Sequence, residues 1–508
     1  MRSSILSPHF RPGKHFALTW SIPDSFGGMT GALLHRSRAF VRLAGHPVDV
    51  LTLDDRLDYT EVEQKLRDTG LLIDGIRVFN IWDWLREHDA EPPTTSPTHV
   101  HAPIAMSAEV VEQRRGGAVL IREQRADDGE TVLGVDRFRA DGSLLVSDRR
   151  DPENHKRSLV LYDRTGSPVR SWGSAWGIYR YWLDELIGEQ ESFLIVDSKT
   201  VARFALTYRR RKVVTMHVMH GSHRSADGTA LSRSRRTVIE NLDDFDSVVL
   251  LTEGQRDALL SDVGPHANLA VIPNGFDAAT PGAESSNTSE RVRGAGIMLA
   301  SLIQRKRVSH AVKAVARAAA AVDVMLDVFG EGERRPLLEK TIRSLDIGER
   351  VRLRGHDASA RSMFTKADFM LLTSTSEGLP LSLVEGMAAG CIPIAYDIPY
   401  GPSDLIEDGR NGFLVPAGDI DALADRIIEL EKMPVRSLEA MRRRAQATAK
   451  RFDDRSVTSR WAREMERAFE RKHASSAPAS LVQRSRRKAG RVKRRVTRLG
   501  GLYDRSDE

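Results

Sequence analysis

Cysteine is nearly absent: Cys391 stands alone among 508 residues, so no intrachain disulfide framework can form and no thiolate cage can hold a metal. A reducing, cytoplasmic setting is expected. No run approaches the roughly 18 apolar residues that a membrane-spanning helix needs. The opening MRSSILSPHFRPGK lacks an apolar core, so a secretory signal is not expected. Charged residues make up 29% of the chain and hydrophobic ones 41%, which excludes a disordered polymer and fits a globular protein long enough for two domains. Net positive charge is also scarce over most of the chain: the +6 is not spread over the body. Between Ser475 and Glu508 ten Lys/Arg face three Asp/Glu, so the chain upstream is close to neutral and the basicity belongs to a tail.

What is present is an alternation of apolar runs with helical periodicity, the signal of parallel sheets covered by helices. FALTWSI (16–22) and PVDVLTL (47–53) flank a helix from about Met29 to Ala44, and SFLIVD (192–197), KVVTMHVMH (212–220), SVVLLT (247–252) and LAVIP (269–273) resume the series. Between them the texture changes to short alternating segments with two Asp-Gly turns, which predicts an antiparallel β-meander. The organisation expected is a Rossmann-like domain from residues 1–90 and 175–277, interrupted by an inserted sheet at 91–174. A linker at 278–293 follows, then a second Rossmann-like domain at 294–455, a crossing helix at 456–474 and the basic tail at 475–508. The inserted sheet also offers an assembly surface for a homo-oligomer.

The densest chemical signal is STSEGLPLSLVEGMAAG (374–390), where a buried strand gives way to a helix with Pro380 at its start. Leu381, Val384 and Ala388 are expected on the core face. Glu377 lies at the mouth and Glu385 about 7–8 Å deeper along the axis. Two carboxylates so placed grip hydroxyl-bearing groups, and the free N–H groups of Gly378 and Leu379 favour an anion beside them. Hydroxyls plus phosphate describe a nucleotide sugar. Opposite them, Arg305, Lys306 and Arg307 fall in a βα loop where cations face the cleft, and Lys306 suits the neutralisation of a departing diphosphate. Gly27 and Gly28, at the first strand–helix turn, allow close backbone approach to a ligand.

His220 and His223 sit at a strand's C-terminal end within reach of the cleft, while His217 lies inside the strand. No acidic partner has the spacing of a zinc site, so no metal is expected. Asp244-Phe245-Asp246 precedes a strand and reads as a loop. The tail cations Arg487, Lys488, Arg491, Lys493, Arg494 and Arg495, with Val492, Val496 and Leu499 at helical spacing, suit an anionic lipid surface or a polyanionic acceptor. Nucleic acid would satisfy the same charge, as a non-catalytic alternative, but leaves the ordered carboxylate pair without a purpose.

On these residues the chain resembles the retaining family 4 glycosyltransferases of GT-B fold, and among them the bacterial wall-teichoic-acid, or poly(glycerol-phosphate), α-glucosyltransferases. Glu377 to Glu385 matches the family's E-x7-E motif, VIPNG (271–275) the end of the N-terminal domain, and YGPSDLIEDGRNGFLV (400–415) the subgroup's donor-side loop; the meander is similar to the subgroup's inserted sheet. The resemblance implies that Glu385 holds the ribose, Glu377 the sugar hydroxyls and Lys306 the diphosphate. Gly27 and Gly28 would touch the diphosphate or reacting sugar, and His220 would lie beside that sugar. The family's arginine five positions before the lysine is Ser301 here, so either Arg305 or Arg307 takes its place or the diphosphate is bound more weakly than in the family. The activity implied is transfer of glucose or N-acetylglucosamine from a UDP-sugar, without a cofactor, to a polyol-phosphate polymer at the inner membrane face. Glycosylation of Ser/Thr-rich proteins or another envelope glycan is the alternative on the same fold.

Overall fold

The computed structural model describes residues 8–24, 26–89, 100–151, 156–225, 228–276, 291–357 and 359–474. Strands β1 (Lys14–Leu18), β2 (Val48–Thr52) and β3 (Ile76–Asn80) open a parallel sheet. Six strands then form a separate antiparallel meander: β4 (Val110–Arg115), β5 (Ala118–Arg125), β6 (Val132–Phe138), β7 (Leu144–Arg150), β8 (Arg157–Tyr162) and β9 (Pro168–Trp172). The parallel sheet resumes with β10 (Ser192–Val196), β11 (Val213–Met219), β12 (Ser247–Leu250) and β13 (Leu269–Val271), in the order β13-β12-β11-β10-β1-β2-β3. A second parallel sheet holds β14 (Ala295–Leu299), β15 (Met325–Phe329), β16 (Val351–Gly355), β17 (Phe369–Leu372), β18 (Ile392–Asp397) and β19 (Phe413–Pro416), in the order β16-β15-β14-β17-β18-β19.

The strands are continuous apolar runs because helices cover both faces of each parallel sheet; every residue of β11 is buried. The first strand is shorter than its sequence suggests. It stops at Leu18 because the Trp20 carbonyl turns to accept from Leu53 N (3.0 Å) and Asp54 N (3.2 Å). β3 and β19 were not separated from loops by their short, polar-flanked sequences. In the meander the Asp-Gly turns behave as expected, with Gly129 and Gly142 at φ 69° and 84°.

One face of the meander completes the core of the first lobe: Leu145, Leu159 and Leu161 pack with Trp82, Ile178 and the fully buried Trp182. Arg137 fixes the junction, donating to both oxygens of Asp55 at 2.6 and 2.7 Å while its guanidinium lies 3.8 Å over the Trp82 ring. The final helix, Asp454–Ala474, returns from the second lobe to the first. Glu464 accepts from Ser247 Oγ, Lys472 pairs with Asp246, and Trp461 packs edge-on against Phe40. Asp246 also accepts from Thr215 N, so the Asp244-Phe245-Asp246 loop is structural. The expected linker lies mostly outside the described residues, as does the whole tail with Arg487, Lys488, Arg491, Lys493, Arg494 and Arg495.

Candidate active site

The second lobe supplies a contiguous half-site. The helix Leu381–Ala388 starts one residue later than expected, with Pro380 at its cap. Its core face is Leu383, Val384 and Met387, whereas Leu381 and Ala388 are only partly buried; the helix is rotated relative to expectation, and it packs chiefly against the helix Val435–Ala449, with β18 and the 360–365 turn also against it. Glu377 lies just before it, 12% exposed, and accepts a hydrogen bond from Lys306 Nζ. Burial pushes the Glu377 carboxyl up, but the charge and hydrogen bond of Lys306 outweigh it, so its pKa falls below the ordinary value.

Lys306 is held by its backbone. The turn Gln304–Lys306 is stapled to the Glu377 loop by Thr375 N donating to Arg305 O (2.9 Å) and Thr373 Oγ1 donating to Lys306 O (2.9 Å). Arg305 donates to Ser376 O at 2.7 Å and lies 3.5 Å from Glu377 Oε1, while the Arg307 guanidinium lies against Gly418. Arg305 therefore lies beside Lys306 at the Glu377 carboxylate, while Ser301 offers no cation. Glu385, 19% exposed, accepts from Arg361 Nε through both oxygens at 2.9 Å; burial raises its pKa and Arg361 opposes the rise. His35 of the first lobe also acts on this carboxylate, which places it on the side of the cleft.

The first lobe's half is assembled from distant segments. Gly27 caps and Gly28 begins the helix Gly28–Ala44, and clear space surrounds the position of a Cβ at either. His220, at the end of β11, presents Nε2 to Asp197 Oδ1 at 2.8 Å; a carboxylate only accepts, so this nitrogen carries the hydrogen. Asp197 is completely buried and accepts a bidentate pair from Arg36 at 2.9 and 2.7 Å. Burial works to raise its carboxyl, but Arg36 and His220 hold it well below the usual range. Neither Asp197 nor Arg36 was singled out in the sequence; Asp197 stood in view as the last residue of SFLIVD, but its partners are 161 and 23 positions away.

The halves touch. A Cβ on Gly378 would meet the His220 carbonyl oxygen at 2.3 Å, so only glycine lets the start of the helix Leu381–Ala388 lie on the end of β11. His223 proves to be a clamp and not a cleft residue: its side chain is fully enclosed, with Nε2 on Asp262 at 2.8 Å and the Tyr400 hydroxyl 3.3 Å from Nδ1. Asp404 accepts from Gly254 N at 3.0 Å. The segment YGPSD is thus a latch between the lobes. His217 hydrogen-bonds Val196 O, and burial pushes its pKa down to about 4, which keeps it neutral within the sheet. Among the described residues no three His, Cys, Asp or Glu side chains converge as a metal-binding group, and no helix is long and apolar enough to cross a membrane.

Residues 295–451 match the family model for glycosyl transferases group 1. The chain is 24% identical to the poly(ribitol-phosphate) alpha-N-acetylglucosaminyltransferase of Staphylococcus aureus over 497 residues, 88% of this chain and 98% of that one. It is 26% identical to the poly(glycerol-phosphate) alpha-glucosyltransferase of Bacillus subtilis, over 50% of this chain and 38% of that one. A crystal structure of a mutant S. aureus TarM with Fondaparinux, alpha-GlcNAc-glycerol and UDP superposes with a TM-score of 0.74 at 19% identity, covering 89% of this chain and 100% of that one. The second lobe carries the match to glycosyl transferases group 1, and the whole chain has the GT-B fold of a glycosyltransferase.

Proposed function

We propose that the protein transfers a hexose, glucose or N-acetylglucosamine, from a UDP-sugar to hydroxyls of a polyol-phosphate polymer of teichoic-acid type, with the α configuration retained. The observation that carries this is the apposition of Gly378 and His220, which sets the E-x7-E helix of one lobe against the histidine-bearing strand end of the other. The two relatives named for poly(ribitol-phosphate) and poly(glycerol-phosphate) support the acceptor class.

In this mechanism Lys306 and Arg305 neutralise charge as the diphosphate departs, aided by the N–H groups of Gly378 and Leu379 and by the open turn at Gly27–Gly28. Glu385 holds the ribose hydroxyls and Glu377 the sugar hydroxyls. Arg361 and Lys306 keep those carboxylates ordered between turnovers. His220, fixed by Asp197, lies beside the reacting sugar. Fixed cations do the electrostatic work, so we propose no metal cofactor. The acceptor proton passes to the leaving phosphate oxygen, and closure of the lobes excludes water. The enzyme works in the cytoplasm, its basic tail at the anionic inner face of the membrane where the lipid-linked acceptor is built, and the inserted sheet joins copies of the chain.

Incubation of labelled UDP-glucose and UDP-N-acetylglucosamine with poly(glycerol-phosphate), poly(ribitol-phosphate) and a Ser-rich polypeptide tests the reading. Label on a polyol-phosphate polymer is expected; label on the polypeptide alone would overturn it.

A further inference from the structure

Among the described Phe, Trp and Tyr side chains one ring is exposed. Trp20 leaves 40% of its surface in solvent, while the other described Phe, Trp and Tyr rings are buried or partly so. A lone exposed ring means little by itself, but this one stands in a particular place. It follows β1 directly and begins the same βα loop that ends at Gly27–Gly28, on the sheet edge that faces the cleft.

The segment carrying the indole is also braced. The Trp20 carbonyl accepts from Leu53 N and Asp54 N. Arg56 Nη1 donates to Ile22 O at 3.0 Å, Ile22 N donates to the Tyr59 hydroxyl at 3.4 Å, and that hydroxyl donates to Asp54 Oδ1 at 2.6 Å. Arg56 is itself clasped by Asp58 and Asp24. Asp54 is partly buried at the end of β2, and burial, against the Tyr59 hydrogen bond, pushes its carboxyl up to about 6. The Asp54 N–H on the Trp20 carbonyl thus sets an exposed indole and a carboxyl on adjoining strand ends, and such a pair of groups suits a polyhydroxylated carbon chain: a ring packs on C–H groups and a carboxyl takes hydroxyls.

Sheet order sets the distance. β1 and β2 lie two and three strands from β11, so this platform is about 10–14 Å from the His220 end, at ~4.8 Å per strand. That is beyond the reach of the reacting hydroxyl. We infer that Trp20 and Asp54 form a second acceptor subsite, which packs a polyol or sugar unit of the acceptor chain away from the unit being glycosylated. The identity of the occupant rests on the proposed function; a long acceptor held at two points gains effective concentration at the reacting one.

The experiment uses the full chain, with a single polyol-phosphate unit and long poly(ribitol-phosphate) and poly(glycerol-phosphate) as acceptors. Trp20→Ala is expected to raise KM for long polymer about tenfold, and Asp54→Asn a few-fold. Trp20→Phe should recover most of the loss. KM for the UDP-sugar and its slow hydrolysis without acceptor should stay unchanged in all three. An effect on both polymers assigns the subsite to their shared polyol chemistry, and an effect on one assigns it to that polyol. Unaltered polymer KM in both Trp20→Ala and Asp54→Asn would overturn the subsite, as would a parallel fall in donor hydrolysis with Trp20→Phe. If the unaltered chain glycosylates neither polymer although it hydrolyses UDP-sugar, the proposed acceptor falls and this assignment with it.

Discussion

The two halves of the site are built on opposite plans. In the second lobe the functional side chains come from two short stretches, 304–306 and 377–385, the first stapled to the lead-in of the second by the Thr375 N–H and the Thr373 hydroxyl. Local chemistry is enough to place them. In the first lobe His220 depends on Asp197, and Asp197 on Arg36, through a buried chain of charges that spans two strands and a helix. One half separates function from stability; the other merges them.

The largest effect should therefore fall on the first lobe. Asp197→Asn strips the buried Arg36 of its counter-charge and is expected to cost about 3–5 kcal/mol of stability, together with activity; urea unfolding measures the first and sugar transfer the second. The depressed Asp197 carboxyl stabilises above its unfolded value and loses that contribution as pH falls, so the variant should also show a flatter acid limb. Lys306→Ala should do the reverse. Activity should fall by about 10²–10³ in kcat/KM while the melting temperature barely moves, since Arg305 lies 3.5 Å from the same carboxylate. A large loss of stability in that variant would break the contrast.

Glu385→Gln comes next: KM for the UDP-sugar should rise about tenfold with kcat little changed, because ribose is held alike before and during reaction. The smallest effect belongs to the back of the second lobe. Burial, with Asp368 beside it, pushes the Glu431 carboxyl up to about 7 from its ordinary 4.5. A carboxyl raised in the folded state stabilises fully below its unfolded value and loses that contribution as pH rises through about 7. Melting temperature should decline modestly from about pH 5 to about pH 8, and Glu431→Gln should remove part of the slope without touching transfer.

The same contrast governs what could be read from sequence. Glu377, Lys306 and Glu385 were legible because strand, loop and helix periodicity put them at one sheet edge within a few residues of each other. Asp197 and Arg36 were not, since nothing in SFLIVD or in the helix Gly28–Ala44 announces a partner across the fold. His223 was placed near the cleft from its spacing, yet Asp262 and Tyr400 capture it. The roles of Leu381 and Ala388 were misjudged because periodicity fixes a face to within a residue or so, while the neighbour that fills it is a tertiary fact. The meander was plain from its turns; that its arginines dock it onto Asp55 and Trp82 was not.

The central claim is that Lys306 and the start of the helix Leu381–Ala388 clasp a sugar-linked diphosphate, and thermal melting with UDP tests it most directly. A ligand bound only by the folded chain raises the melting temperature, by about 2.7 kcal/mol of stability at a hundredfold excess over Kd. The account predicts such a rise in the unaltered chain and its near loss in Lys306→Ala. No shift with UDP or any UDP-sugar, or an equal shift in the variant, would contradict it.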